Sequence, residues 1–125
     1  MVEIDEFQEI LEELYEELPE EIYEGLNGGI ILEEECKYYE NEFGLICLGV
    51  YERGMLGRCI RIYYGSFMNM YSWYGREDLK NEVRKTMHHE LTHHIEFLAK
   101  DNDLEIEDIE FLKNYRESKE NGWIK

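Results

Sequence analysis

Ile4, Phe7, Leu11, Leu14 and Leu18 recur at spacings of three and four with glutamates between them. That period predicts an amphipathic helix. Pro19 ends it, and the proline ahead of Glu20 and Glu21 predicts a short second turn to about Leu26. Asn27-Gly28-Gly29 breaks the chain, and Ile30-Ile31-Leu32 reads as a first strand whose far end, Glu33-Glu34-Glu35, faces solvent. Gly44 introduces a second strand over residues 45–51, and Arg53-Gly54 with Gly57 marks a turn. Residues 58–64 follow as a third strand. Cys59, Arg61 and Tyr63 alternate there with Ile60, Ile62 and Tyr64, which predicts one wet face and one dry one. The short gap between the second and third strands predicts a hairpin. Residues 65–75 carry Phe67, Met68, Met70, Tyr71, Trp73 and Tyr74, and read as an ordered loop. Packing over the core is the commoner fate of such aromatics, and lining a groove is the other.

A long helix is predicted from Arg76 to Lys100. Leu79, Val83, Met87, Leu91, Ile95 and Leu98 form its apolar stripe at spacings of four and three. At about 100° per residue, His89 and His93 point away from the middle of that stripe, with Thr86 and Glu96 on their side. These two residues belong to His89-Glu90-Leu91-Thr92-His93, an H-E-x-x-H pattern. Imidazoles one helical turn apart can share one Zn²⁺ ion, and Glu90 beside them can take a proton from water. Of the other histidines, His94 falls near the stripe and reads as a buried, hydrogen-bonded core residue. His88 lies on the stripe's other flank and receives no catalytic role. Asp101-Asn102-Asp103 then reads as a turn capping a last helix over residues 105–119, with Trp123 and Ile124 folding back as an apolar clip.

A catalytic zinc takes three protein ligands as a rule, so the histidine pair needs a partner. The cysteines Cys36, Cys47 and Cys59 sit in strand-like apolar runs and are a poor source. The downstream acids are better. Glu96 lies on the right face of the same helix, as a ligand or as an orienting group behind His93. Asp101 and Asp103 follow a chain reversal, and Asp108 begins the next helix.

The chain's 125 residues suit one domain, 1–125, with a real core. Thirteen basic residues against 30 acidic ones give a net charge of −17. That balance argues against nucleic acid or anionic membranes as partners, and mildly favours a basic peptide or protein substrate. Three cysteines without a C-x-x-C pair suit buried thiols in a reducing compartment. Residues 1–6 have neither a basic nor an apolar leader region, and no apolar run reaches membrane-spanning length, so the chain reads as cytoplasmic. Nothing in the pattern bears on oligomeric state.

Several blocks together resemble a family of small bacterial proteins, the minimal zincins or possible zinc metallopeptidases. They are Leu18-Pro19-Glu20-Glu21, Ile30-Ile31-Leu32, Leu48-Gly49-Val50-Tyr51-Glu52-Arg53-Gly54, Ile60-Arg61-Ile62-Tyr63-Tyr64-Gly65 and His89-Glu90-Leu91-Thr92-His93-His94. The resemblance implies an α+β domain. A small mixed β-sheet of three to four strands would pack against the active-site helix and against N- and C-terminal helices. Members often carry Gly three residues after the second motif histidine and Asp three further on. This chain has Glu96 and Ala99 there, and no methionine follows the motif. The family's Asp-x-x-x-Leu stretch matches Asp108-Ile109-Glu110-Phe111-Leu112. The resemblance therefore implies Asp108 as third ligand to a single zinc, with Glu96 as the alternative, and Tyr115 as an oxyanion donor. The implied activity is peptide hydrolysis with Glu90 as general base. Residues 60–64 would be an edge strand holding an extended peptide by β-augmentation. The rival reading is a non-enzymatic acidic binding protein with a vestigial or structural metal site.

Overall fold

The computed structural model of the chain describes residues 1–40, 44–55 and 57–100. Its helices are α1 (Ile4–Glu16), α2 (Tyr64–Tyr71) and α3 (Arg76–Lys100). Its strands are β1 (Gly29–Glu33), β2 (Lys37–Tyr38), β3 (Ile46–Cys47), β4 (Gly49–Gly54) and β5 (Gly57–Tyr63). The expected α+β architecture is present: a small mixed sheet packed against the motif helix. Pro19 ends the α1 region, and a 3-10 turn over Glu20–Tyr23 follows it. The predicted helix over residues 105–119 and the Trp123–Ile124 clip lie outside the described residues. Among the described residues no helix is long and apolar enough to cross a membrane.

The main sheet has the order β1-β5-β4, with β1 parallel to β5 and β4 antiparallel to it. The predicted hairpin is therefore β4–β5. The expectation that residues 60–64 form an edge strand is overturned. β5 is paired on both sides, because Ile30 and Leu32 of β1 align with Ile60 and Ile62. The free edge beside α3 belongs to β4. Tyr63 N–H donates to Leu48 C=O at 3.0 Å, which fixes the alternation of the ladder. Even-numbered residues of β4 bond to β5, so Gly49, Tyr51 and Arg53 turn their backbone groups outward from the sheet.

The second predicted strand splits in two. Ile46 and Cys47 pair with β2 in a separate two-stranded sheet, and the chain changes partner at Leu48. The loop expected over residues 65–75 begins instead as helix α2. Gly65 explains its placement: a Cβ there would meet the backbone of Glu35 and Cys36 at 2.6 Å. Only glycine lets the strap leaving β1 lie on the first turn of α2, where Gly65 N–H donates to Glu34 C=O at 3.1 Å.

Sheet and helices share one core. Ile60 and Ile62 face inward from β5, into one cluster with Phe7, Ile10 and Leu14 of α1, Phe67 of α2 and the α3 stripe from Leu79 to Ile95. Every residue of that predicted stripe, from Leu79 to Leu98, is buried. Each such side chain contributes about 2 kcal/mol through burial. Tyr63, expected on the wet face, is also buried; the Lys37 ammonium stands 5.7 Å from its ring centroid. Phe67 sits in the core and Trp73 stays largely exposed, so the aromatic segment mostly packs as expected. Cys47 is buried, whereas Cys36 and Cys59 are half-buried, and all three thiols are free.

The helices α1 and α3 are also stapled by charge. Glu13 pairs with Arg76 and Lys80, each at 2.8 Å. Arg84, buried on α3, makes a bidentate bond to Glu17 at 2.8 and 2.7 Å.

Candidate active site

Because the stripe holds one side of α3 in the core, His89 and His93 are left exposed on the opposite side. Their Nε2 atoms stand 3.2 Å apart with ring planes 89° to each other. Glu90, one residue along, turns toward β4 and is only 8 % exposed. Burial pushes its carboxyl up to about 7, while the backbone N–H of Tyr51 pulls the other way. The three residues line a cleft of about 430 Å³ together with Glu96 of α3 and Gly49, Tyr51 and Arg53 of β4.

Gly49 sets how closely β4 approaches the helix. A Cβ there would lie 2.9 Å from Thr86 Cγ2 and 3.1 Å from Arg61 O. With no side chain at this point, β4 can rest on α3 one turn before the motif and bring Tyr51 to Glu90.

His94 has the buried role its position predicts. Its Nε2 lies 2.8 Å from Glu24 C=O and its Nδ1 lies 2.7 Å from the Tyr51 hydroxyl. Burial lowers its pKa, so the ring is neutral. His88 is buried too, away from the cleft.

The geometry of the histidine pair suits zinc. Two ligand nitrogens on one tetrahedral zinc stand about 3.3 Å apart when each Zn–N bond is about 2.0 Å. The observed separation is 3.2 Å, and imidazole nitrogens are a suitable donor set. Glu96 lines the same cleft, but among the described residues no three His, Cys, Asp or Glu side chains form a metal-holding group. Asp108 and Tyr115 lie outside the described residues. The structure thus brings together His89, Glu90 and His93.

Sequence reasoning assigned no role to Gly49, Tyr51, Arg53 or Phe97. The first three fall within the Leu48-to-Gly54 block of the resemblance, so a signal existed, but nothing in the block says which strand edge it forms. Phe97 was hidden by its place beside the stripe.

An H-E-x-x-H helix lying under the free edge of a small mixed sheet is the arrangement of a zincin module. A sequence profile described as zincin-like metallopeptidase matches residues 1–110. The chain belongs to that family. It is also similar to a solved structure, a conserved hypothetical protein from Thermus thermophilus, at 37% identity and a TM-score of 0.69. That match covers 79% of this chain and 99% of the other. No curated protein matches the chain.

Proposed function

We propose that the chain is a zinc-dependent peptidase. The observation that carries this reading is the pair of Nε2 atoms 3.2 Å apart in a cleft that also holds the buried carboxyl of Glu90. His89 and His93 would hold the ion. The family resemblance supplies Asp108 as the third ligand, with Glu96 as the alternative. A zinc ion held there supplies Lewis acidity toward water and toward a carbonyl oxygen.

The chain's own residues do the rest. The Glu90 carboxyl, held near 7, takes a proton from the attacking water and returns it to the leaving amine at neutral pH. Tyr51 N–H orients that carboxyl from the strand side. An extended peptide substrate lies along the β4 edge, where the Tyr51 C=O and the Arg53 N–H and C=O turn away from β5. Tyr115 acts as oxyanion donor in this scheme, again by resemblance.

Metal analysis of zinc-loaded, dialysed protein tests the reading. Wild type should retain one zinc per chain, and His89→Ala and His93→Ala should lose it. Glu90→Gln should keep the ion yet lower peptide hydrolysis about 10²- to 10⁴-fold. If Asp108→Ala keeps its zinc and Glu96→Ala does not, the third ligand is Glu96. Unchanged zinc retention in His89→Ala would sink the proposal. A wild type that binds zinc but cleaves no peptide would favour the non-enzymatic binder.

A further inference from the structure

The acidic excess makes unpaired cations conspicuous. Nine Lys and Arg residues lie among the described ones, and five of them, Arg61, Arg76, Lys80, Arg84 and Lys85, have a carboxylate within 4.0 Å. The other four, Lys37, Arg53, Arg58 and Lys100, have none among the described residues; Lys37 stands over the Tyr63 ring, and the remaining three gather around Phe97. The Arg53 guanidinium lies 4.5 Å from the Phe97 ring centroid and that of Arg58 lies 5.9 Å from it. Lys100 lines the cleft beside Phe97 and Arg53.

Arg53 and Arg58 are directly opposed across the β4–β5 hairpin. Like charges at opposed positions destabilise a sheet. Here the Arg58 Nε bond to Gly25 C=O at 2.9 Å anchors one of them, and the aromatic face supports both. Arg53 remains exposed at the mouth of the cleft that holds His89, Glu90 and His93.

The geometry points to a carboxylate-binding subsite at the Arg53–Phe97–Lys100 end of this cleft, selecting peptides that carry a carboxylate about two residues from the bond cleaved. The distance follows from the strand. Tyr51 faces Glu90, and Arg53 is two residues further, about 7 Å at the rise of an antiparallel strand. The source is either an acidic side chain or the peptide's free C-terminal carboxylate, since both offer two oxygens to an arginine fork. This selection rests on the peptidase reading for its placement relative to the cleaved bond. It runs against the whole-molecule charge, which repels acidic peptides at long range, so the two effects can be separated experimentally.

Binding of fluorescein-labelled peptides to zinc-loaded Glu90→Gln protein, which does not turn them over, provides the test. The peptides differ only in Glu, Gln or Lys placed two residues to either side of the centre, or in a free against an amidated C-terminus. The Glu peptide or the free-acid peptide should bind about tenfold more tightly than the neutral amidated one, a single charge-assisted contact's worth. The tighter of the two identifies the carboxylate's source. Adding Arg53→Glu should invert the preference toward Lys, Arg53→Lys should restore part of it, and Lys100→Glu should weaken it. Preference for the Lys peptide that Arg53→Glu leaves untouched would overturn the subsite and leave net charge in control. Hydrolysis by metal-loaded wild type is scored separately. Its absence with an intact carboxylate preference would defeat the peptidase reading alone.

Discussion

The Tyr51 hydroxyl donates to Nδ1 of His94 at 2.7 Å, and the direction of that bond is fixed by the other side of the ring. Nε2 faces the Glu24 carbonyl at 2.8 Å, and a carbonyl only accepts, so Nε2 carries the proton of the neutral imidazole. One residue thus reaches both halves of the site, with its backbone on Glu90 and its hydroxyl in the core. Tyr51→Phe removes the donor and leaves a buried acceptor unsatisfied. A stability loss of about 1–2 kcal/mol is expected, read as a lower urea midpoint at unchanged slope.

Gly49→Ala tests the approach of β4 to α3. The new Cβ would press on Thr86 Cγ2 and on the Arg61 carbonyl, so the strand must retreat. The expected cost is about 1–3 kcal/mol, with a loss of activity because Glu90 loses the Tyr51 N–H. Adding Thr86→Ser removes the methyl and should recover part of the stability. A Gly49→Ala protein as stable as wild type would show that the strand has room to spare.

Arg84 and Glu17 form a largely buried bidentate pair, and although Arg84 also donates to Asn81 Oδ1 at 2.7 Å, removing Glu17 takes away the carboxylate that faces its guanidinium. Glu17→Ala should destabilise the protein by about 3 kcal/mol, measured by chemical denaturation. Arg84→Met combined with Glu17→Leu should cost much less, since no uncompensated charge remains.

Glu13 supplies the pH dependence. Hydrogen bonds from Arg76, then from Lys80, hold its carboxyl down to about 2 from an ordinary 4.5. A depressed acid means the unfolded chain binds more protons than the folded one between those values. The stabilisation is complete above about 4.5 and drains away as the pH falls toward 2. Urea midpoints taken at steps from pH 5 to pH 2.5 should fall more steeply for wild type than for Glu13→Gln. Parallel curves would remove Glu13 from the account.

The helices with a clean period were legible from sequence, and α3 runs from Arg76 to Lys100 as its stripe predicts. So was which histidines lie exposed and which lie buried, because facing follows from 3.6 residues per turn alone. Helix α2 was hidden because Tyr64–Tyr71 is apolar and aromatic over most of its surface, with no polar face to mark a period. Strands β2 and β3 are two residues each, too short for any alternation. The edge assignment failed for a different reason: whether Ile60 and Ile62 lie at a margin depends on β1, 30 residues upstream, and local pattern carries nothing about that pairing. The cations around Phe97 were illegible for the same reason, since they converge from β4, β5 and α3.

The charge staples between α1 and α3 also bear on how the chain comes together. Glu13 and Glu17 meet partners 63 to 67 residues downstream, and β1 waits for β5 across the intervening strands. A growing chain can set Phe7 of α1 against Tyr64 and Phe67 of α2, but it cannot close the charge staples until α3 has been made, so the last steps of docking are non-local. During that wait the apolar face of α1 lacks the cover of α3, and its dense glutamates repel other unfinished chains. The acidity that complicates the choice of substrate therefore guards the nascent protein against aggregation.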